Sequence, residues 1–133
     1  MGKIKTACVI DDDDIYSYSV DWIIQTNDIA EKTLFFSNGR LALDFFLENL
    51  QQSENLPDVV LLDINMPVLD GWQFMDAYVK LKASISKNII FYMVSSTIDE
   101  DDYKKSRMYP EIVDFIVKPI TISALTNIAL QFG

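Results

Sequence analysis

A chain of 133 residues suits one domain around one core, and with half of its residues hydrophobic it is too apolar to stay disordered. Its 20 acidic residues outnumber 11 basic ones, leaving a net charge of −9, which excludes the basic patch that nucleic-acid binding requires. There is no histidine, and no apolar run approaches the roughly 20 residues of a membrane span, so the expectation is a soluble, cytoplasmic protein whose site uses carboxylates, amines, hydroxyls and amides.

The chain opens on "MGKIKT", where Gly2 and Thr6 fit a bare myristoylation pattern short enough to match by chance. No secretory signal is visible. The run "ACVI" (7–10) reads as a strand, with Cys8 as a small buried hydrophobe. Four acids follow it, Asp11 to Asp14, and a helix is expected over 15–25. "TLFF" (33–36) is a second strand, and over 39–50 Leu41, Ala42, Phe45, Phe46 and Leu50 share one helical face. "VVLLDI" (59–64) is a third strand, followed by a helix over 71–82 with Trp72, Met75, Tyr78 and Val79 inward. Asp70-Gly71 marks a turn and the start of that helix, and Trp72 is expected to pack rather than recognise. "IIFYMV" (89–94), a polar helix over 98–108, "IVDFIV" (112–117) and a helix over 120–132 carrying Leu125, Ile128, Ala129 and Phe132 complete the chain. Most of the strands are apolar on consecutive positions, as strands buried on both faces are. Five alternations of strand and helix predict a doubly wound α/β domain without internal repeat or linker.

On that frame the reactive residues converge. Asp11 follows the first strand, Asp63 falls near the end of the third, Ser95 follows the fourth and Lys118 follows the fifth. A parallel sheet puts all carboxyl ends on one edge, and ligands of open α/β sheets bind there. Crowded carboxylates form a hard-oxygen site suited to Mg²⁺, which would offset the repulsion of Asp11 and Asp12 with Asp63. Asp13 and Asp14 stand at a helix start, where one can cap and both suit the positive end. A lysine and a hydroxyl facing such a cluster point to phosphoryl chemistry, in which a carboxylate is the nucleophile and the cation and lysine balance charge.

The segments "VIDDDD", "DVVLLDINMPVLDGWQF", "MVSS" and "FIVKPI" resemble the signature segments of response-regulator receiver domains, and "FSNGRLALDFF" resembles the start of their second helix. The resemblance covers essentially the whole chain, in order. It implies one receiver domain over 1–133, with a five-stranded parallel sheet in the flavodoxin-like order 2-1-3-4-5 and five helices. It implies Asp63 as phosphoacceptor, with Asp11, Asp12, Asp63 and the backbone carbonyl of Asn65 holding Mg²⁺. It implies Ser95 as the switch hydroxyl, Lys118 as the family's lysine, Phe115 as the switch aromatic and Pro119 after a cis bond. Two positions depart from the pattern. Phe115 lacks the hydroxyl of the tyrosine often found there, and Ser96 stands where Ala or Gly is usual, beside the path to Asp63.

The implied function is Mg²⁺-dependent transfer of a phosphoryl group to Asp63 from a phosphohistidine of a histidine kinase or histidine phosphotransfer protein. The domain would be no classical enzyme, since it catalyses only its own phosphorylation and dephosphorylation. It would change the face formed by the fourth helix, fifth strand and fifth helix for a downstream protein target, with no nucleic acid or membrane partner. Because these 133 residues hold no output domain, the expectation is that the domain either acts alone on a partner or is part of a longer protein. Two further readings stay open. One is a haloacid-dehalogenase-type phosphatase using Asp11 and Asp13 as its D-x-D pair, and the other is a pseudo-receiver that is never phosphorylated.

Overall fold

The structure is a computed structural model that describes residues 3–66 and 69–132, so Gly2, and Pro67 and Val68 of the "LLDINMPVLDGW" segment, fall outside it. Five strands alternate with five α-helices: β1 (Ile4–Ile10), α1 (Asp14–Thr26), β2 (Ala30–Phe36), α2 (Gly39–Glu48), β3 (Val59–Asp63), α3 (Gly71–Leu81), β4 (Ile90–Ser95), α4 (Glu100–Ser106), β5 (Ile112–Val117) and α5 (Ile122–Leu130). Short 3₁₀ turns at Ser53–Asn55 and Lys82–Ser84 precede β3 and follow α3. The strands are parallel in the order β2-β1-β3-β4-β5, as expected, so the direction of winding reverses between β1 and β3.

The alternation of side chains along each strand splits the core in two. Cys8 and Ile10 of β1, Val60 and Leu62 of β3, and Phe91 and Met93 of β4 face α2 and α3, where Ala42, Phe46, Phe74, Met75 and Tyr78 meet them. Val9, Leu61, Tyr92 and Val94 face the other way, toward Val20 and Ile24 of α1 and Leu125, Ile128 and Ala129 of α5. The three central strands are therefore apolar on consecutive positions because both their faces are covered. The edge strands are not: Val113 and Val117 of β5 and Phe35 of β2 are exposed. This also explains why β2 begins at Ala30, ahead of the apolar run, since its open face accepts Glu31 and Lys32.

Each helix starts on a side-chain cap: Asp13, Asn38, Asp70, Asp99 and Thr121 accept from backbone N–H groups of the first turn. Asp70 forms a capping box with Gln73, and Trp72 packs against Tyr109 with ring centroids 5.9 Å apart, so Asp70-Gly71 and Trp72 are structural, as expected. Two expected core positions face solvent. Leu41 is exposed because the buried stripe of α2 runs through Ala42, Leu43 and Phe46, and Val79 is exposed while Phe74 fills the core of α3. On β4–β5 the register slips by one: Phe91 pairs with Ile112 but Tyr92 pairs with Asp114, so Val113 is an extra residue. No helix among the described residues is long and apolar enough to cross a membrane.

Candidate functional site

Asp11 is the first residue past β1, Asp63 the last of β3, Ser95 the last of β4 and Lys118 the first past β5. β1 and β3 are paired neighbours, so Asp11 and Asp63 flank the point where the winding reverses. One carboxylate oxygen from each of Asp11, Asp12 and Asp63 lies within 4.8 Å of the other two. Asp11 and Asp63 are 2% and 4% exposed, whereas Asp12 reaches solvent. Into this cluster comes Lys118 Nζ, 3.0 Å from Asp11 Oδ2 and 3.7 Å from Asp63 Oδ2.

Three carboxylates facing one ammonium leave negative charge unbalanced. Burial first, then the charge of Asp11, pushes the Asp63 carboxyl up to about 6, while Lys118 and the Asn65 N–H oppose the rise and Asp12 adds to it. For Lys118, burial pulls its pKa down, but the hydrogen bond and charge of Asp11, with Asp63 and Asp13, hold it above its ordinary value. The donor set is all hard oxygen, as a divalent cation such as Mg²⁺ or Ca²⁺ requires. Asp11 Oδ2 approaches Lys118 without full hydrogen-bond alignment and keeps a lone pair free in a buried position, which fits a cation ligand.

The acidic tetrad divides by role. Asp13 does not join the cluster, because its Oδ1 accepts from Ile15 N at 3.0 Å and Tyr16 N at 3.1 Å as the cap of α1. Its own N–H donates to Asp11 Oδ1 at 2.9 Å, which ties the cap to the site. Asp14 lies in the first turn, at the positive end of the helix.

Ser95 is 1% exposed. Its Oγ accepts from Asn65 Nδ2 at 3.1 Å and from Thr97 N at 3.3 Å, which leaves its O–H to donate. Asn65 N–H in turn donates to Asp63 Oδ1 at 3.2 Å. Phe115 sits half-buried on β5, edge-to-face with Tyr103 of α4 at 4.8 Å between centroids. The Lys118–Pro119 peptide bond is cis. Ser96 is exposed and shares with Ile15, Tyr16, Lys118 and Pro119 the lining of an opening of about 420 Å³ beside the acids.

Three contributions were missed in the sequence. Tyr16 is buried with Lys118 Nζ 4.4 Å from its ring centroid; the four-residue spacing of Tyr16, Val20 and Ile24, all inward on α1, was the available signal. The amide of Asn65 holds Ser95, a contact across 30 residues with no local signal. Gly71 is the third. Its N–H donates to Ile64 O at 2.9 Å, and a Cβ there would stand 2.9 Å from Asp63 O and from Ile64 Cα, so α3 begins against the backbone of Asp63.

A family model described as the response regulator receiver domain matches residues 7–130. A protein-glutamate methylesterase/protein-glutamine glutaminase of Syntrophomonas wolfei is 34% identical over 115 residues, 86% of this chain and 30% of the relative. A second, from Treponema pallidum, is 36% identical over 84 residues, 62% of this chain and 18% of the relative. The chain thus spans less than a third of the length of either. Among solved structures, a two-component response regulator from Cytophaga hutchinsonii superposes with a TM-score of 0.87 at 28% identity, covering 98% of this chain and 97% of that one. Strand order, an acidic cluster at the switch point and a family match over nearly the whole length agree: the chain belongs to the response-regulator receiver domains, the signalling domains of two-component systems.

Proposed function

We propose that residues 1–133 act as one phosphoacceptor domain in the cytoplasm, taking a phosphoryl group onto Asp63 from a phosphohistidine of a histidine kinase or histidine phosphotransfer protein. The observation that carries this reading is Asp63 itself: a buried carboxylate at a strand end, with Asp11 and Asp12 on one side and the Lys118 ammonium 3.7 Å away on the other. With its carboxyl at about 6, Asp63 is ionised at neutral pH and able to attack. An Asp63 oxygen bonds to phosphorus, the phosphorus–nitrogen bond of the donor breaks, and the departing imidazole takes a proton from solvent. Lys118 balances charge on the transferred oxygens. Asp11, Asp12, Asp63 and the backbone carbonyl of Asn65 would hold Mg²⁺, which supplies charge neutralisation for the phosphoryl oxygens and for the acids themselves.

The added charge of roughly −1.5 to −2 gives the Ser95 O–H an acceptor, and Ser95 then moves off Asn65. Phe115 repacks against Tyr103, and the face of α4, β5 and α5 changes for a downstream protein target. Phosphate must favour that second packing for the population to shift. Ile15, Tyr18 and Trp22 of α1 and Ile122 of α5 are exposed and apolar around the opening lined by Tyr16, Ser96 and Lys118. A donor whose histidine must come into bonding reach of Asp63 would rest on this ground.

The test is labelling with acetyl phosphate and Mg²⁺ followed by intact mass and peptide mapping. One acyl phosphate on Asp63, absent from Asp63→Asn, is expected. Label on Asp11 would instead establish the D-x-D phosphatase chemistry, and no label under any donor would make the chain a pseudo-receiver.

A further inference from the structure

Tyr16 takes no part in the steps written above, yet its surroundings are unlike those of a packing residue. It lies on the inward side of the first turn of α1, four residues past Asp12, and is 9% exposed. The Lys118 ammonium stands 4.4 Å from the centre of its ring, inside the range of cation–π attraction. The same nitrogen is 3.0 Å from Asp11 Oδ2 and 3.7 Å from Asp63 Oδ2. The ammonium is therefore held by two carboxylates and one ring face.

These three holds are not equivalent. The charges of Asp11 and Asp63 are the ones that phosphorylation uses: both would be shared with a divalent cation, and Asp63 becomes an acyl phosphate. Once a cation neutralises them, and before the phosphoryl oxygens arrive, their pull on Lys118 falls. A lysine stem is long and rich in rotamers, and its head wanders when nothing fixes it. The attraction of the ring face comes from its quadrupole and does not depend on those charges. The Tyr16 hydroxyl is buried with no hydrogen-bond partner among the described residues. Burial foremost, and then the charges of Asp11 and Asp63, push its pKa upward, so the ring stays neutral.

We propose that Tyr16 is a positioning residue for the phosphorylation of Asp63: its ring face seats the Lys118 ammonium beside the phosphoacceptor and keeps it there as the carboxylates lose their charge. The assignment rests on the reading of Asp63 as phosphoacceptor. It concerns the ring and not the hydroxyl.

The experiment uses the full chain with acetyl phosphate as donor and two substitutions, Tyr16→Leu and Tyr16→Phe. The first readout needs no reaction. In wild type the ε-methylene protons of Lys118 should be shifted upfield by the ring, the shift should persist in Tyr16→Phe, and it should collapse toward the free-lysine value in Tyr16→Leu. The second readout is the labelling rate of Asp63 at saturating Mg²⁺. Tyr16→Leu should slow it about three- to thirty-fold, the range expected for losing a partly to fully desolvated cation–π contact. Tyr16→Phe should restore most of the rate lost in Tyr16→Leu. The Mg²⁺ concentration giving half the maximal rate should stay within a factor of two across all three proteins, whereas a collapsed site would raise it.

Wild-type protein that takes no label ends the phosphoacceptor reading and this proposal with it. Wild-type protein that labels normally while Tyr16→Leu labels at the same rate overturns the proposal alone, as does an equal loss in Tyr16→Phe and Tyr16→Leu, which would move the effect to the hydroxyl. A Tyr16→Leu protein whose Mg²⁺ requirement rises in step with its loss of rate also overturns it, since the ring would then be supporting the carboxylates.

Discussion

Replacing Asp63 by Asn should stabilise the metal-free protein, by an amount that depends on pH in a defined direction. The Asp63 carboxyl stands at about 6 in the fold against an ordinary value of 3.8. That difference corresponds to about 3 kcal/mol of preference for the neutral acid. The site opens to solvent on the side of Asp12, so screening should reduce the figure to about 1–2 kcal/mol. Below pH 4 the group is protonated folded and unfolded, and the full benefit of the raised value is present. As pH climbs from 4 to beyond 6 the unfolded chain releases its proton first, and wild type loses stability until the folded acid has ionised. The Asp63→Asn protein has no such loss, and its side-chain amide keeps a carbonyl oxygen to accept from Asn65 N–H. In chelator, urea unfolding should show the Asp63→Asn protein nearly equal to wild type at pH 4 and about 1–2 kcal/mol more stable at pH 8, or about 5 °C in melting temperature. Saturating Mg²⁺ should narrow or reverse the gap, because the cation binds the intact acid better. A gap that is the same at both pH values, or an Asp63→Asn protein less stable at pH 8, would show that Asp63 is satisfied by its neighbours and that charge repulsion is not the feature that shapes the site.

Three further outcomes are expected. Mg²⁺ should bind the apo protein with a dissociation constant on the order of millimolar by calorimetry, since few protein ligands contribute, and Asp12→Ala should weaken it at least tenfold; equal binding would remove Asp12 from the ligand set. Ser96→Ala should speed acetyl-phosphate labelling a few-fold, about 1 kcal/mol of barrier, without changing Mg²⁺ affinity, because Ser96 lines the opening and not the acids. Unchanged rates would place its side chain off the donor's path. Gly71→Ala should destabilise by about 1–3 kcal/mol in denaturant melts and slow labelling, since its Cβ meets backbone at 2.9 Å that cannot swing aside, and a loss under about 0.5 kcal/mol would mean that α3 slides freely on β3.

The parallel sheet and the convergence of Asp11, Asp63, Ser95 and Lys118 were legible because each rests on a local signal, a short apolar run with an acid, hydroxyl or lysine at its end, whereas the strand order came from the resemblance to receiver domains. The acidic pair and the cap at Asp13 were legible for the same reason, and Asp13 separates from Asp12 as a helix start requires. Illegible were contacts set by three-dimensional neighbourhood. Nothing near Asn65 announces Ser95, and nothing near Tyr16 announces a lysine about a hundred residues on. Burial on the edge strands was overestimated because an apolar run does not tell whether a sixth strand or a helix covers it, so β5, read as buried on both faces, exposes Val113 and Val117. Leu41 and Val79 failed for a third reason: a helix of ten or eleven residues has two adjacent apolar stripes, and packing chooses between them.

The one-residue slip at Val113 bears on how this fold tolerates change in length. From Asp114 to Val117 every residue of β5 is matched to β4, so Val117 opposite Ser95 sets where Lys118 emerges. What lies before Asp114 is uncoupled from that match by the extra residue. Ile112 and Phe115 both face the α2–α3 side although three positions separate them, a parity that an unbroken strand does not allow. The reach of Lys118 into the acids is thus fixed from its own end of the strand. A loop of different length between α4 and β5, or the removal of Val113 itself, can be taken up at the slip while Lys118 keeps its distance from Asp63.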